Sequence, residues 1–265
     1  MAIATADDYF GSAKQPISMV KTASRTAVAA SWFSVYDLAG NPGAGTLAGT
    51  STTTGVVPTD ATAGHPAINA FGGGATGYLA QVDFGSSVAC RIKLFDLLWK
   101  GGAYAFNANT TGNTPASFSS RVPGGTDFSD TQIWLEQVTA GTGVQNVAVT
   151  YTNQAGTAGR TTGTVAAPAA MILGRCFQLP LQAGDTGVQG VTGVVGSVAT
   201  AGTFNILVVR PLWSGRVKIA NDGGLHNFFD TGSPIVYADS ALMMLVAPDS
   251  TATGIPELEL VIANK

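Results

Sequence analysis

The side chains of this sequence that commonly do chemistry are few and widely spaced. It contains two histidines, His65 and His226, and two cysteines, Cys90 and Cys176. Neither histidine has a neighbouring cluster of Asp or Cys residues that would complete a metal site. Both are therefore predicted to be solvent-facing loop residues. The cysteines are predicted to be buried free thiols in a protein that folds in a reducing cytosol.

Paired carboxylates offer a second route to chemistry, because a glycosidase places two of them around its substrate. The candidates are Asp83, Asp96, Asp130, Glu136 and Asp185. The chain has 16 acidic residues, and nothing in the spacing of these five favours a catalytic pair over turn and surface positions. No Gly-x-Ser-x-Gly motif marks a nucleophile.

Two other patterns have a structural explanation. The Gly72–Gly74 tract lacks the Lys-Ser/Thr pair and the helix start of a phosphate-binding loop. Trp32, Trp99, Trp134 and Trp213 are of a type that stacks on sugars, but each lies in or beside an apolar strand, which favours core packing. The sequence therefore predicts no enzyme, no catalytic, cofactor-binding or metal-binding residues, and no cofactor.

The elements that hold these residues are predicted to be strands, most clearly between residues 144 and 212. There Val147, Val149 and Tyr151 alternate with small or polar residues at the period of a half-buried strand, and glycine-bearing turns separate the segments. About ten to twelve strands are expected by this criterion, drawn from thirteen candidate segments. The main candidates are Ser31–Leu38, Tyr78–Phe84, Val88–Phe95, Thr131–Val138, Val147–Thr152, Arg160–Val165, Cys176–Leu179, Val188–Val198, Thr203–Val209, Val217–Ile219, Ile235–Tyr237, Leu242–Val246 and Leu258–Ile262.

The predicted fold class is all-β, an antiparallel β-sandwich or jelly roll with long loops and one short N-terminal helix. Residues 1–24 are expected to form this helix or an arm, with Pro16 closing the helix. Residues 25–265 are expected to form a single large β-sandwich domain, with a candidate subdivision near residue 140. The segment 39–77 is expected to be an ordered surface loop and a candidate inter-subunit contact.

Composition narrows the class of partner. Only 11% of residues are charged, against about 25% in an ordinary soluble domain. A surface poor in charge suits either a glycine-rich β protein or one covered by neighbouring subunits, because interface cores are depleted in charge. The net charge of −3 predicts no nucleic-acid partner. Residues 187–209 carry no charge, but polar residues and glycines interrupt them, which predicts strands and no membrane span.

Several segments resemble uncharacterised structural proteins of tailed bacteriophages: Ser24–Ala27 leading into Trp32–Asp37, Gly40–Gly45, Asn146–Arg160, Leu179–Gly187 and Phe204–Leu212. The resemblance implies a virion protein assembled in the host cytoplasm, an auxiliary head component of the decoration or cement kind. It also implies a homo-oligomer, for which a trimer is the expectation, and contacts with the major capsid protein or other virion proteins. It transfers no functional residue to this chain.

Two other functions stay open at this point. A tail, collar or baseplate component of the same virions would share the β architecture. A carbohydrate-binding module would use tryptophans and tyrosines as stacking platforms, and it would require an exposed aromatic pair in a groove.

Overall fold

The structure is a computed structural model and describes residues 3, 5–107, 109–111, 114–142, 145–168, 171–196 and 201–265. Within those residues it contains 18 strands, two short α-helices and two single 3₁₀ turns, so the predicted all-β class is confirmed. The helices are α1 (Ala6–Gly11) and α2 (Phe228–Thr231). The strands are β1 (Ala13–Lys21), β2 (Trp32–Ser34), β3 (Gly40–Asn41), β4 (Ser51–Val56), β5 (Gly77–Ser86), β6 (Cys90–Ala105), β7 (Asn109–Thr111), β8 (Gln132–Thr139), β9 (Asn146–Asn153), β10 (Arg160–Thr161), β11 (Val165–Ala166), β12 (Arg175–Leu179), β13 (Val188–Gly196), β14 (Thr203–Val217), β15 (Asp222–His226), β16 (Ile235–Val236), β17 (Leu242–Pro248) and β18 (Pro256–Asn264).

The N-terminal helix is much shorter than predicted. Thr5 caps α1 in a capping box with Asp8, but the helix ends at Gly11 and β1 follows at once. Pro16 lies inside β1 and does not close a helix. The strand tolerates it because β18 pairs along this part of β1 on one side, while β3 pairs only at Val20 and Lys21 on the other. A proline that lacks an N–H costs nothing on an unpaired side.

The predicted strand Thr203–Val209 is too short, since β14 continues through Pro211 to Val217. The ladder with β8 covers only Thr203–Val209, so Pro211 breaks no hydrogen bond of that ladder. The predicted strand Val188–Val198 is present as β13, and its last two residues lie outside the described part of the chain.

The chain divides into two compact units. Unit 1 consists of Met1–Thr46, Thr59–Asp96 and Leu212–Lys265, and unit 2 consists of Leu47–Pro58 and Leu97–Pro211. None of these limits falls near residue 140. A single large β-sandwich domain over residues 25–265 stays a prediction.

Unit 1 contains two antiparallel sheets around one core. The first has the order β15–β5–β18–β1–β3, and the second places β17 between β2 and the first half of β6. Leu258 and Leu260 of the first sheet share a buried cluster with Ile92 and Leu94 of the second. Residues that alternate with these point the other way, as the strand period requires.

Unit 2 has the same kind of construction. One sheet has the order β10–β9–β13–β7, and in the other β8 lies between β12 and β14. Val147, Val149 and Tyr151 of β9 lie in one buried cluster with Ile133 and Leu135 of β8. The alternation in residues 147–151 therefore predicted the inward face of this strand correctly.

The loop predicted over residues 39–77 contains the short strands β3 and β4. Three of its apolar residues are anchors, whereas Val56 is 40% exposed. Val57 packs on the core of unit 2, whereas Ile68 and Phe71 pack on the core of unit 1. The carboxylate of Asp60 accepts a hydrogen bond of 3.1 Å from the amide of Ile68. Contact of this loop with another subunit stays a prediction.

Candidate functional site

The two histidines have structural surroundings. His65 is 5% exposed, and its Nδ1 atom lies 2.9 Å from the carbonyl oxygen of Leu242, so the prediction of a solvent-facing residue is wrong for it. The loop turns inward there, and the centroid of the His65 ring lies 4.8 Å from that of the Tyr36 ring. His226 is half-buried on β15 and accepts a hydrogen bond of 2.9 Å from the indole of Trp213.

The cysteines match their prediction. Cys90 and Cys176 are both buried and free of disulfide bonds. Burial raises the pKa of the Cys90 thiol, so the neutral form predominates at neutral pH. Three of the tryptophans, Trp99, Trp134 and Trp213, are at most 7% exposed, which confirms the core assignment for them.

The five candidate carboxylates lie in different settings. Asp83 is exposed on β5, and Asp130 is exposed in a turn with φ 67°. Asp96 is buried in unit 1, where it accepts hydrogen bonds from the Ser240 hydroxyl and the Ala241 amide at 2.9 and 3.0 Å. Glu136 and Asp185 belong to two separate buried polar groups of unit 2. The structure therefore gives each of the three buried acids its own partners.

The most highly connected of them is Asp185, in the turn before β13. Its Oδ2 atom accepts hydrogen bonds from the Tyr151 hydroxyl at 2.7 Å and from the Arg160 Nε atom at 2.9 Å. Its Oδ1 atom accepts one from Asn153 at 2.7 Å. The Tyr151 oxygen in turn accepts a hydrogen bond of 2.7 Å from the Gln182 amide. The Asp185 side chain is 2% exposed, so this group fixes the turn to β9 and β10.

These contacts shift the pKa values of Asp185 and Tyr151. The hydrogen bond from Arg160 lowers the pKa of Asp185 to about 2, assisted by those from Asn153 and Tyr151. Burial, together with the adjacent Asp185, raises the pKa of Tyr151 to about 12. At neutral pH the group thus holds an ionised carboxylate and a neutral phenol, and a general acid or base would need a pKa much closer to neutrality.

The second polar group of unit 2 is centred on Glu136 of β8, which is 1% exposed. Its Oε2 atom accepts a hydrogen bond of 2.7 Å from the Asn205 amide and lies 3.8 Å from the Lys100 ammonium. Asn205 also bonds the backbone of the loop before β4. It donates to the Leu47 carbonyl at 2.7 Å and accepts from the Gly49 amide at 2.9 Å. The Asn205 side chain therefore holds this loop through one backbone carbonyl and one backbone amide.

Gly102 is needed for this arrangement. Its φ is 152°, and a Cβ atom at this position would overlap the amide oxygen of Asn205. A side chain there would displace the asparagine from the loop backbone. Glycine is the residue that permits both this φ and the close approach.

Arg121 is the residue that sequence reasoning missed most clearly. It is 0% exposed, and its guanidinium donates hydrogen bonds to the carbonyl oxygens of Pro58 and Leu97. No motif surrounds it in the sequence. The signal available there was only a basic residue in a polar, glycine-punctuated segment, which ordinarily predicts an exposed side chain.

Unit 1 has a comparable group at its own loops. Lys21 is 2% exposed, and its ammonium donates to the carbonyl oxygens of Leu38 and Pro42 at 3.2 and 3.1 Å. Burial lowers the pKa of Lys21, and the nearby Asp37 opposes that effect. The guanidinium of Arg25 forms an ion pair with Asp37. The Lys21 ammonium therefore holds the backbone on both sides of β3.

Several buried polar side chains share one role, which is to hold loop backbone in place. Asp96, Asn205, Arg121 and Lys21 each bond main-chain atoms of a loop or turn. Among the described residues, no group of three or more His, Cys, Asp or Glu side chains is placed to hold a metal ion. No helix in that part of the chain is long and apolar enough to cross a membrane.

Comparisons with known proteins give little. No protein-family model and no curated protein sequence matches the chain. Among solved structures, the VP2 subviral particle of infectious bursal disease virus is similar at 9% identity over 100% of this chain and 82% of that chain, with a TM-score of 0.20. The Gx strain of that virus matches at 11% identity over 96% and 80% of the two chains, with a TM-score of 0.17. Similarity at these TM-scores carries no argument about this chain.

Proposed function

We propose that this chain is a non-enzymatic structural protein of a virus particle, and specifically a head decoration or cement protein of a tailed bacteriophage. The observation that carries the proposal is the use of buried charge. Asp96, Glu136, Asp185 and Arg121 are hydrogen-bonded to loops and turns or to side chains that hold them. A protein that fills gaps between capsid subunits needs loops of one fixed shape, because ordering them on binding would cost affinity.

The low charge of the chain supports the same role. With 11% charged residues, several of which are buried, a large part of the exterior is neutral. Such surfaces suit permanent contacts with neighbours, since burying an unpaired charge in an interface is costly. The proposed partners are the major capsid protein or other virion proteins, and the proposed assembly is a homo-oligomer, with a trimer as its simplest form.

Location in the particle is the direct test. Particles assembled with and without this chain would be compared by electron microscopy, and difference density on the capsid lattice is the expected result. Difference density on the tail, collar or baseplate would overturn the head assignment and favour the alternative. Particles with no difference density at all would overturn the virion role.

The carbohydrate-binding alternative has a sharper test in Trp32. It is the only tryptophan among the four that is not buried, and the Lys93 ammonium lies 4.9 Å from its ring centroid. The lysine occupies a position that a stacked sugar would need. Retention of the purified chain on a panel of immobilised glycans is expected to be absent. Retention that Trp32→Ala abolishes would instead support a carbohydrate-binding module.

A further inference from the structure

One outward face of unit 1 carries an acidic surface. Asp83 on β5 and Glu257 and Glu259 on β18 are exposed on the outward side of its first sheet. The exposed Asp222 at the start of β15 pairs with Ser86 and lines the adjoining cleft beside Asp83 and Glu257. We call these four residues the acidic face. Within the part of the chain that the structure describes, none of them forms an ion pair with a lysine or arginine.

The arrangement of the acidic face works against stability. Asp83 and Glu259 lie directly opposite each other in the β5–β18 ladder, and like charges at such positions repel. Glu257 adds a third carboxylate on the same side of β18, two residues away. The Ser18 hydroxyl donates to Glu259 at 2.7 Å but brings no opposite charge. Folding alone gives no reason for this concentration of like charge.

The acidic face borders a cleft. It has a volume of about 490 Å³ and is lined by Asp83, Asp222 and Glu257 together with Ile255. Ile255 is 42% exposed, and Leu225, which lies opposite Asp83 on the neighbouring strand, is 58% exposed. Apolar side chains beside an unpaired charge group are typical of a surface that another protein covers.

A cleft of opposite charge lies on the second sheet of unit 1. It has a volume of about 660 Å³ and is lined by Trp32, Arg91, Lys93 and Arg216, with Ile92, Ser214 and Gly215. We call it the basic cleft. Arg91 is exposed, and Arg216 has a single long contact, 3.8 Å, to the half-exposed Asp249. The lining thus contains three basic side chains, no acidic side chain and one aromatic ring.

The strand period places these two surfaces on opposite sides of unit 1. Phe84 and Leu258 point into its core from the first sheet, and so do Ile92 and Leu94 from the second. Asp83 and Glu257 alternate with the former pair, and Arg91 and Lys93 alternate with the latter. Successive side chains of a strand point to opposite faces, so the acidic face and the basic cleft both point away from the shared core.

We propose that the acidic face of one copy of this chain docks into the basic cleft of a second copy, forming a head-to-tail contact. The inference deepens the proposed function and rests on its claim of a homo-oligomer. Charge complementarity identifies the occupant, because each surface supplies what the other lacks. A contact between two different surfaces closes into a ring when the rotation permits and otherwise extends into an open chain of copies.

Charge reversal on the full-length chain tests the proposal. The acidic-face variant is Asp83→Lys/Glu257→Lys, and the basic-cleft variant is Arg91→Glu/Arg216→Glu. The wild-type chain is expected to sediment as a concentration-dependent oligomer at low salt and to dissociate in about 0.5 M NaCl. Each variant alone should self-associate at least about tenfold more weakly. An equimolar mixture of the two should associate again, because each then meets a complementary surface.

The matched control is Asp7→Lys/Asp127→Lys, which changes two exposed acids elsewhere and alters the net charge equally. Thermal melts confirm folding, and the milder Asp83→Asn/Glu257→Gln variant should weaken association in the same direction. A wild-type chain that is monomeric at low salt overturns the inference. So does an equal effect of the control, or a mixture that stays monomeric. A chain located in particles but monomeric in solution would overturn this contact and leave the proposed function standing.

Discussion

The carboxylate of Asp185 lies 2.9 Å from the Nε atom of Arg160 on β10, a strand that begins 25 residues earlier in the chain. Tyr151 and Asn153 of β9 donate to the same carboxylate. Three segments that are separate in the sequence are thereby joined at one ionised side chain. This relationship makes the stability of the protein depend on pH in a direction that follows from the pKa.

The first prediction concerns acid. The folded-state pKa of Asp185, about 2, is below the ordinary value of about 3.9, so the folded protein favours the ionised form. The resulting stabilisation is present above about pH 4 and is lost as the pH falls toward 2. The melting temperature of the wild type should fall across that window. In Asp185→Asn it should start lower and depend less on pH, and equal slopes in the two proteins would contradict the prediction.

The second prediction compares two buried tyrosines of unit 2. The Tyr151 hydroxyl bridges Asp185 and the Gln182 amide, whereas the Tyr104 hydroxyl has no hydrogen-bond partner among the described residues. Tyr151→Phe should therefore lower the free energy of unfolding by about 1–2 kcal/mol, and Tyr104→Phe should leave it unchanged or raise it. Urea unfolding of both variants measures the difference. Equal losses would show that the hydroxyl of Tyr104 is satisfied.

The third prediction extends the comparison to high pH. Burial raises the pKa of both Tyr104 and Tyr151 to about 12 from an ordinary 10. The folded state thus favours the neutral phenols, and this stabilisation is complete below pH 10 and is lost as the pH rises toward 12. Absorbance titration should show these phenols ionising only as the protein unfolds. Reversible ionisation near pH 10 in the folded protein would be inconsistent with this.

The fourth prediction concerns Arg121. Its guanidinium is fully buried and donates hydrogen bonds to the Pro58 and Leu97 carbonyls. Lysine has one ammonium group and cannot reproduce the planar fork, so Arg121→Lys should cost about 2–3 kcal/mol of unfolding free energy. Arg175→Lys is the control, since Arg175 is only partly buried. A loss no greater than that of the control would remove Arg121 from the loop-holding groups.

The fifth prediction concerns the Lys100–Glu136 pair. Glu136→Leu removes the carboxylate beside a largely buried ammonium and should cost about 3–5 kcal/mol. Lys100→Met added to it should restore part of that loss, because neither charge is then buried without the other. A double-mutant cycle measures the coupling between the two residues. Strict additivity would mean that the 3.8 Å contact contributes nothing.

Local patterning predicted most of the longer strands and their buried faces, although β1 lies where a helix was expected. The alternation at Val147, Val149 and Tyr151 holds in the structure because successive side chains of any strand point to opposite sides. The burial of Cys90 and Cys176 was likewise predictable, since free thiols behave as small apolar groups. The prediction of a longer N-terminal helix was wrong. The capping signal at Thr5 is real, but the helix that follows it has only 6 residues before β1.

Tertiary structure alone decided which partners the buried charged side chains contact. Arg121 reaches a carbonyl 63 residues away, and Asn205 reaches Glu136 across 69 residues. His65, placed by sequence on the surface, is folded inward against Leu242. Periodicity is a property of neighbours along the chain, so it assigns a side chain to a face of its own strand. The partner of a buried charge is set by which loops meet when the sheets pack, and no local pattern in the sequence encodes that meeting.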